Sequence, residues 1–162
     1  DQAMKDLKNS ISKALTAFEG KGLTVEQRNG KVYVSMENKL LFKSGSWAIG
    51  KQGKVAIIEL GKVLSKNPDI AVLIEGHTDN VPFASDGPIS NNWDLSTKRA
   101  TSIISILSEN KSINLENLTA AGRSEYSPID TNETQEGKAK NRRIEVILTP
   151  KLDEISRLLN SK

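Results

Sequence analysis

Ile70-Ala71-Val72-Leu73-Ile74-Glu75-Gly76-His77-Thr78-Asp79-Asn80 is the stretch that decides the fold. Its first half is an apolar, β-branched run of strand length, suited to a central strand buried on both faces. Its second half turns to Gly, His, Thr, Asp and Asn, residues that end strands and open loops. The polar composition continues to Asn92, and a helix then starts near Asp94, with Ala100, Ile103, Ile104 and Leu107 at helical spacing. Strand, loop and amphipathic helix in this order make one α/β unit.

The flanking sequence extends the unit in both directions. Upstream, a helix is expected from about Ile49 to Ser65, with Ile57, Leu60 and Leu64 on one side and Val55, Ile58 and Lys62 on another, stopped by Asn67-Pro68-Asp69. Before it, Leu23–Arg28 and Lys31–Met36 read as two strands. Asn29-Gly30 between them suits a type I′ turn, which needs positive φ at both central positions. Downstream, Leu118–Ala121 is a short strand ending at Gly122, residues 123–140 form a polar loop, and Ile144–Leu148 is a strand closed by Pro150. The fold class is therefore α/β: a sandwich with a β-α-β-α-β-β sheet, helices on one face, an added N-terminal hairpin strand and flanking helices.

Those flanking helices set the domain limits at 1–19, 20–150 and 151–162. In the first, Met4, Leu7, Ile11, Ala14 and Phe18 are spaced 3, 4, 3 and 4, a heptad seam over little more than two repeats. It suits a helix packed on its own domain, or the stub of a coiled coil joining a homodimer. In the last, Leu152, Ile155, Leu158 and Leu159 suggest an amphipathic helix.

Composition excludes several functions. The 162 residues carry 23 basic and 20 acidic side chains, a net charge of +3 that is too small to imply nucleic acid. Two Trp, two Tyr and three Phe, not interleaved with basic residues, make no base-stacking platform. The absence of cysteine removes disulfides, thiol catalysis and thiolate metal sites. No apolar run reaches the roughly 20 residues of a membrane helix. A chain opening at Asp1 suits a mature or trimmed product whose membrane anchor precedes it.

Enzymatic chemistry finds no constellation. His77 is the one histidine. Gly122-Arg123-Ser124 lacks the G-x-S-x-G context of a nucleophile, and one imidazole with one carboxylate is too little for zinc. His77 reads as a structural hydrogen-bonder, and no catalytic residue, metal or cofactor is assigned. Asp79 and Arg99 are more specific. A strand's C-terminal end and the first turns of the next helix face the same edge of a sheet. The two side chains can therefore meet in one pocket and hold a zwitterion, Arg99 gripping a carboxylate and Asp79 an ammonium. A plain salt bridge is the competing reading.

Four stretches together, Ile74–Asn80, Asn92-Trp93-Asp94-Leu95-Ser96-Thr97-Lys98-Arg99-Ala100, Ala121-Gly122-Arg123 and Asn141-Arg142-Arg143-Ile144-Glu145, resemble the OmpA-like C-terminal peptidoglycan-binding domain. The likeness runs from about Leu40 to Thr149. Asn-Trp-Asp-Leu-Ser and the long loop Val81–Asn91 are most similar to the flagellar stator B subgroup. The resemblance implies a non-enzymatic, periplasmic cell-wall anchor. It would bind the diaminopimelate of the stem peptide, with its full-length protein attached to the inner or outer membrane. It further implies that Asp79 takes the ligand ammonium and Arg99 its carboxylate. Thr78, Asn92 and Leu95 would line the pocket, Phe42 would border it, and Arg143 would hold the loop or touch the ligand. The alternative is an assembly or dimerisation module with little wall binding.

Overall fold

The computed structural model describes residues 2–151 and Leu159. Helix α1 (Gln2–Ala14) leads into a hairpin of β1 (Leu23–Arg28) and β2 (Lys31–Glu37). Helices α2 (Asn38–Leu41) and α3 (Lys51–Ser65) precede β3 (Ile70–His77). After α4 (Asn92–Leu107) come β4 (Leu118–Gly122), α5 (Gln135–Asn141) and β5 (Arg143–Pro150). Among the described residues the sheet has five strands in the order β1-β2-β5-β3-β4. β3 and β4 are parallel, joined through α4, and the remaining pairs are antiparallel.

Alternation explains which side of the sheet the helices cover. Val32, Val34 and Met36 of β2, Ile70, Val72 and Ile74 of β3, and Ile144, Val146 and Leu148 of β5 are all buried. They align across the ladder, Val34 opposite Val146 and Val146 opposite Ile74. Against them pack Ala56, Ile57, Leu60 and Leu64 of α3 and Ala100, Ile103 and Leu107 of α4. Val55 and Ile58 face outward, 48% and 41% exposed, so only one of the two apolar sides of α3 is a core side. Among the described residues no helix packs on the other sheet face, and Ala71, Leu73 and Glu75 are half-buried there. This corrects the expectation that the strand from Ile70 is buried on both faces. Its apolar run is continuous, yet one layer of helices covers it.

Helix α1 belongs to the same core. Met4, Leu7, Ile11 and Leu15 are buried, with Ile11 and Leu15 fully so, while Ala14 is only half-buried. The stripe follows 3.6-residue periodicity against β1, β2 and α3 and drifts off the heptad seam from Ala14 to Leu15. Met4, Leu7 and Ile11 of the seam are thus packed within the domain, as in the reading of a helix packed on its own domain. Asn29 (φ 52°) and Gly30 (φ 73°) make the expected hairpin turn. The helix expected over 151–162 lies outside the described residues except for Lys151 and Leu159.

Candidate functional site

Asp79, two residues past the end of β3, is 6% exposed. Its Oδ1 accepts from the Val81 amide at 3.0 Å, and the Val81 carbonyl accepts from Asn92 Nδ2 at 3.0 Å. The start of the long loop is thereby tied to the first turn of α4, which Asn91 caps by accepting from the Asp94 amide. Thr78 is buried, with its hydroxyl donating to the Asp79 carbonyl at 2.8 Å. Leu95 is buried on the α4 turn between Asn92 and Arg99.

Arg99 enters from the second turn of α4 and is 5% exposed. Its Nε donates to the Ser46 carbonyl at 2.8 Å, and its guanidinium lies over the Phe42 ring, 5.2 Å from the centroid. The carbonyl is presented by a tight turn in which Ser46 N–H donates to Lys43 O and Gly45 takes φ 65°. Among the described residues, no protein group accepts from the two terminal nitrogens of Arg99. Burial, and then the nearby Arg142, pull its pKa down from 12.5 to about 10, and Asp79 opposes them. The fork lines a cavity of about 300 Å³ together with Asn38, Lys39, Phe42, Lys43, Ser44, Gly45 and Arg142. It is a buried cation partnered only by a neutral carbonyl, in a geometry that accepts a carboxylate bidentately.

The basic motif before β5 divides by the period-2 rule. Arg142 lies on the side of Ile144 and Val146, toward the helices, whereas Arg143 lies on the open side with Glu145. Arg142 Nη1 is 2.5 Å from Asp79 Oδ2. Arg143 is 2% exposed, donates to Glu145 at 2.9 Å, to the Asn141 carbonyl and, at 3.0 Å, to the Ser127 carbonyl. Of its two expected roles, holding the loop has contacts. Contact with the cavity belongs to Arg142 instead. Asn141 is fully buried and fastens the same loop, accepting from the Ile129 and Asp130 amides and donating to Asp130 O and Asn132 Oδ1.

Beneath the site, on the open sheet face, His77 Nε2 lies 3.2 Å from Glu75 and 3.9 Å from Glu145. The hydrogen bond from His77, more than the charges of Arg123 and Arg143, holds the Glu75 carboxyl below the usual carboxylate range, against the opposing effect of burial. Among the described residues no group of three His, Cys, Asp or Glu side chains is placed to hold a metal ion. None of their helices is long and apolar enough to cross a membrane.

Two cavity residues were missed from sequence. Arg142 had a usable signal, its place two residues before the core-facing Ile144. Asn38 had none: its side chain is 95% buried in the cavity wall, and neither amide atom has a hydrogen-bond partner. Leaving such a group unpaired costs about 1–3 kcal/mol.

Comparison with known proteins fits this architecture. The chain is 35% identical over 118 residues to motility protein B of Bacillus subtilis, covering 73% of this chain and 45% of that protein. It is 32% identical over 133 residues to the Escherichia coli protein YiaD, covering 82% of this chain and 58% of that one. This chain thus spans about half the length of the curated relatives it matches. Among solved structures, the cell wall anchor of the T6SS from Pseudomonas aeruginosa superposes with a TM-score of 0.78 at 27% identity, covering 87% of this chain and 97% of that one. A MotB-like protein from Desulfovibrio vulgaris gives a TM-score of 0.83 at 22% identity, covering 93% of this chain and 96% of that one, which shows the shared fold. The model of the OmpA family matches residues 41–142, the segment holding Asp79, Arg99 and Arg142, and the chain belongs to the OmpA family.

Proposed function

We propose that this domain binds peptidoglycan non-covalently through the diaminopimelate of the stem peptide and so anchors an envelope protein to the cell wall. One observation supports it above the others. Arg99 is a buried guanidinium whose two terminal nitrogens have no protein acceptor, and it shares a cavity wall with a cation that holds the Asp79 carboxylate. A free carboxylate on the ligand would meet Arg99, and the adjacent ammonium would compete for Asp79. Diaminopimelate in a stem peptide offers that pair at the end of its side chain. The Pseudomonas aeruginosa neighbour is the cell wall anchor of the T6SS, which supports this reading.

Binding at one site is weak, since charge-assisted hydrogen bonds give about 1.5–3 kcal/mol each before desolvation. A wall displays many stem peptides, and avidity supplies the anchoring. In this reading the domain holds its ligand without cutting it. The chain would act in the periplasm as one part of a protein tethered to the inner or outer membrane. The rival reading, assembly through the α1 seam, has less support, since Met4, Leu7 and Ile11 are buried in the domain itself. The test is co-sedimentation with purified sacculi. Wild type pellets and Arg99→Gln stays in the supernatant; equal pelleting of the two overturns the assignment.

A further inference from the structure

Charge in the cavity does not balance for a simple zwitterion. The wall and its immediate partner bring two guanidinium groups, Arg99 and Arg142, and one carboxylate, Asp79. Lys39 and Lys43 border the same cavity and add further positive charge. Glu37, next in sequence to the cavity residue Asn38, is turned to Lys39 at 3.5 Å. A ligand ammonium arriving at Asp79 displaces a guanidinium that is already there, leaving Arg142 without an anion beside an Arg99 whose charge is itself disfavoured by Arg142. One ligand carboxylate satisfies one arginine. Neutralising both takes two.

We infer that the cavity recognises a second carboxylate of the ligand, and that Arg142 is its receptor once it has given up Asp79. This rests on the peptidoglycan reading and narrows it to a ligand segment with one more carboxylate than ammonium. Arg142 suits the exchange, because its side chain is 39% exposed against 9% for Asp79, so it can turn from one anion to another without leaving a buried charge. The buried Asn38 amide in the same wall has an unused donor for the incoming group. Two sources share the chemistry in a stem peptide: the α-carboxylate of the D-glutamyl residue and the α-carboxylate of a terminal diaminopimelyl residue. Both lie within one residue of the side-chain zwitterion.

The experiment is a calorimetric titration of the domain with L-Ala-γ-D-Glu-meso-diaminopimelate and with its two mono-carboxamides, each blocking one α-carboxylate. Wild type is expected to lose about tenfold in affinity for one carboxamide, which identifies the source. Arg142→Gln is expected to bind the parent peptide and that carboxamide alike, and Arg142→Lys, which keeps the charge without the fork, to fall between. Wild type binding all three peptides equally overturns the inference and leaves the peptidoglycan reading standing. So does Arg142→Gln retaining the full tenfold discrimination. Failure of wild type to bind the parent peptide overturns both.

Discussion

Arg142 links Asp79 to the cavity of Arg99: the Asp79 carboxylate is held by Arg142 at 2.5 Å, while Arg99 spends its Nε on the Ser46 carbonyl. The two residues expected to bind opposite ends of a zwitterion are thus each partnered by something a ligand can replace or add to. Asp79→Asn keeps an acceptor for the Val81 amide and loses the charge. Because Arg142 is partly exposed, the loss should cost below about 1 kcal/mol of stability. Sacculus binding should fall at least tenfold. Co-sedimentation with urea denaturation of the same preparation checks both.

Arg99 is expected to show opposite effects on binding and stability. Its folded pKa is lowered, to about 10, so the fold disfavours the charged form. For a base, that is a cost present below the folded pKa and relieved as pH rises through it. Arg99→Met keeps the aliphatic stem on Phe42 and removes the charge. It should match or exceed wild-type stability at pH 7 while abolishing wall binding. A clear drop in melting temperature would show that the guanidinium instead supports the fold.

Two glycines fix how closely α4 sits on the sheet. A Cβ on Gly76 would lie 2.1 Å from the Ser96 carbonyl oxygen, and one on Gly122 would lie 2.0 Å from Thr97 Oγ1. Gly76→Ala therefore has to push back the first turns of α4, which hold Asn92 and Arg99, and should cost about 3 kcal/mol as well as weaken binding. Gly30→Ala meets nothing within 4 Å but keeps φ 73°, so it should cost only about 1–2 kcal/mol and leave binding intact. Chemical denaturation and sacculus sedimentation of the pair separate the two effects.

Helix α1 is expected to behave as core. Ile11 is fully buried, and Ile11→Ala should cost about 2–5 kcal/mol. Sedimentation equilibrium of wild type and variant should show no change in association state below the unfolding transition. A wild-type dimer dissociated by Ile11→Ala without loss of melting temperature would contradict the packing.

Acid stability should depend on Glu75. Its carboxyl is held below the ordinary value of 4.5, chiefly by His77. Its contribution is then fully present above pH 4.5 and lost as pH falls through the depressed folded value. Glu75→Gln should flatten the stability profile below that pH. Urea midpoints measured between pH 6 and 3 would reveal it, and parallel profiles for the two proteins would refute it.

Much of this was legible from residue order. Alternation in β2 and β5, the Asn29-Gly30 turn and the punctuation around Asn67-Pro68 are local signals, and the elements they mark formed where expected. Asp79 and Arg99 were expected at one edge because a strand end and the start of the next helix share it, and both are buried there. Partner choice was not legible. Arg142 reaches Asp79 across 63 positions of sequence, and only the placement of β5 next to β3 brings them together. Nor does any local pattern mark Asn38, whose importance lies in a lack of partners. The seam of α1 left two readings open for a related reason: a stripe that short fits a neighbouring helix and a neighbouring sheet equally well.

The strand order has a consequence for how the domain comes into being. β5 is the last of the described strands, yet it lies between β2 and β3, and Arg142 immediately precedes it. Until that last strand inserts, β2 and β3 have no common neighbour, and most of the ladder consists of pairings distant in sequence. Such topologies fold slowly and all at once. A chain lacking β5 therefore lacks the strand that brings Arg142 beside Asp79. Under the proposed function, the capacity to anchor would appear only once the whole sheet has folded.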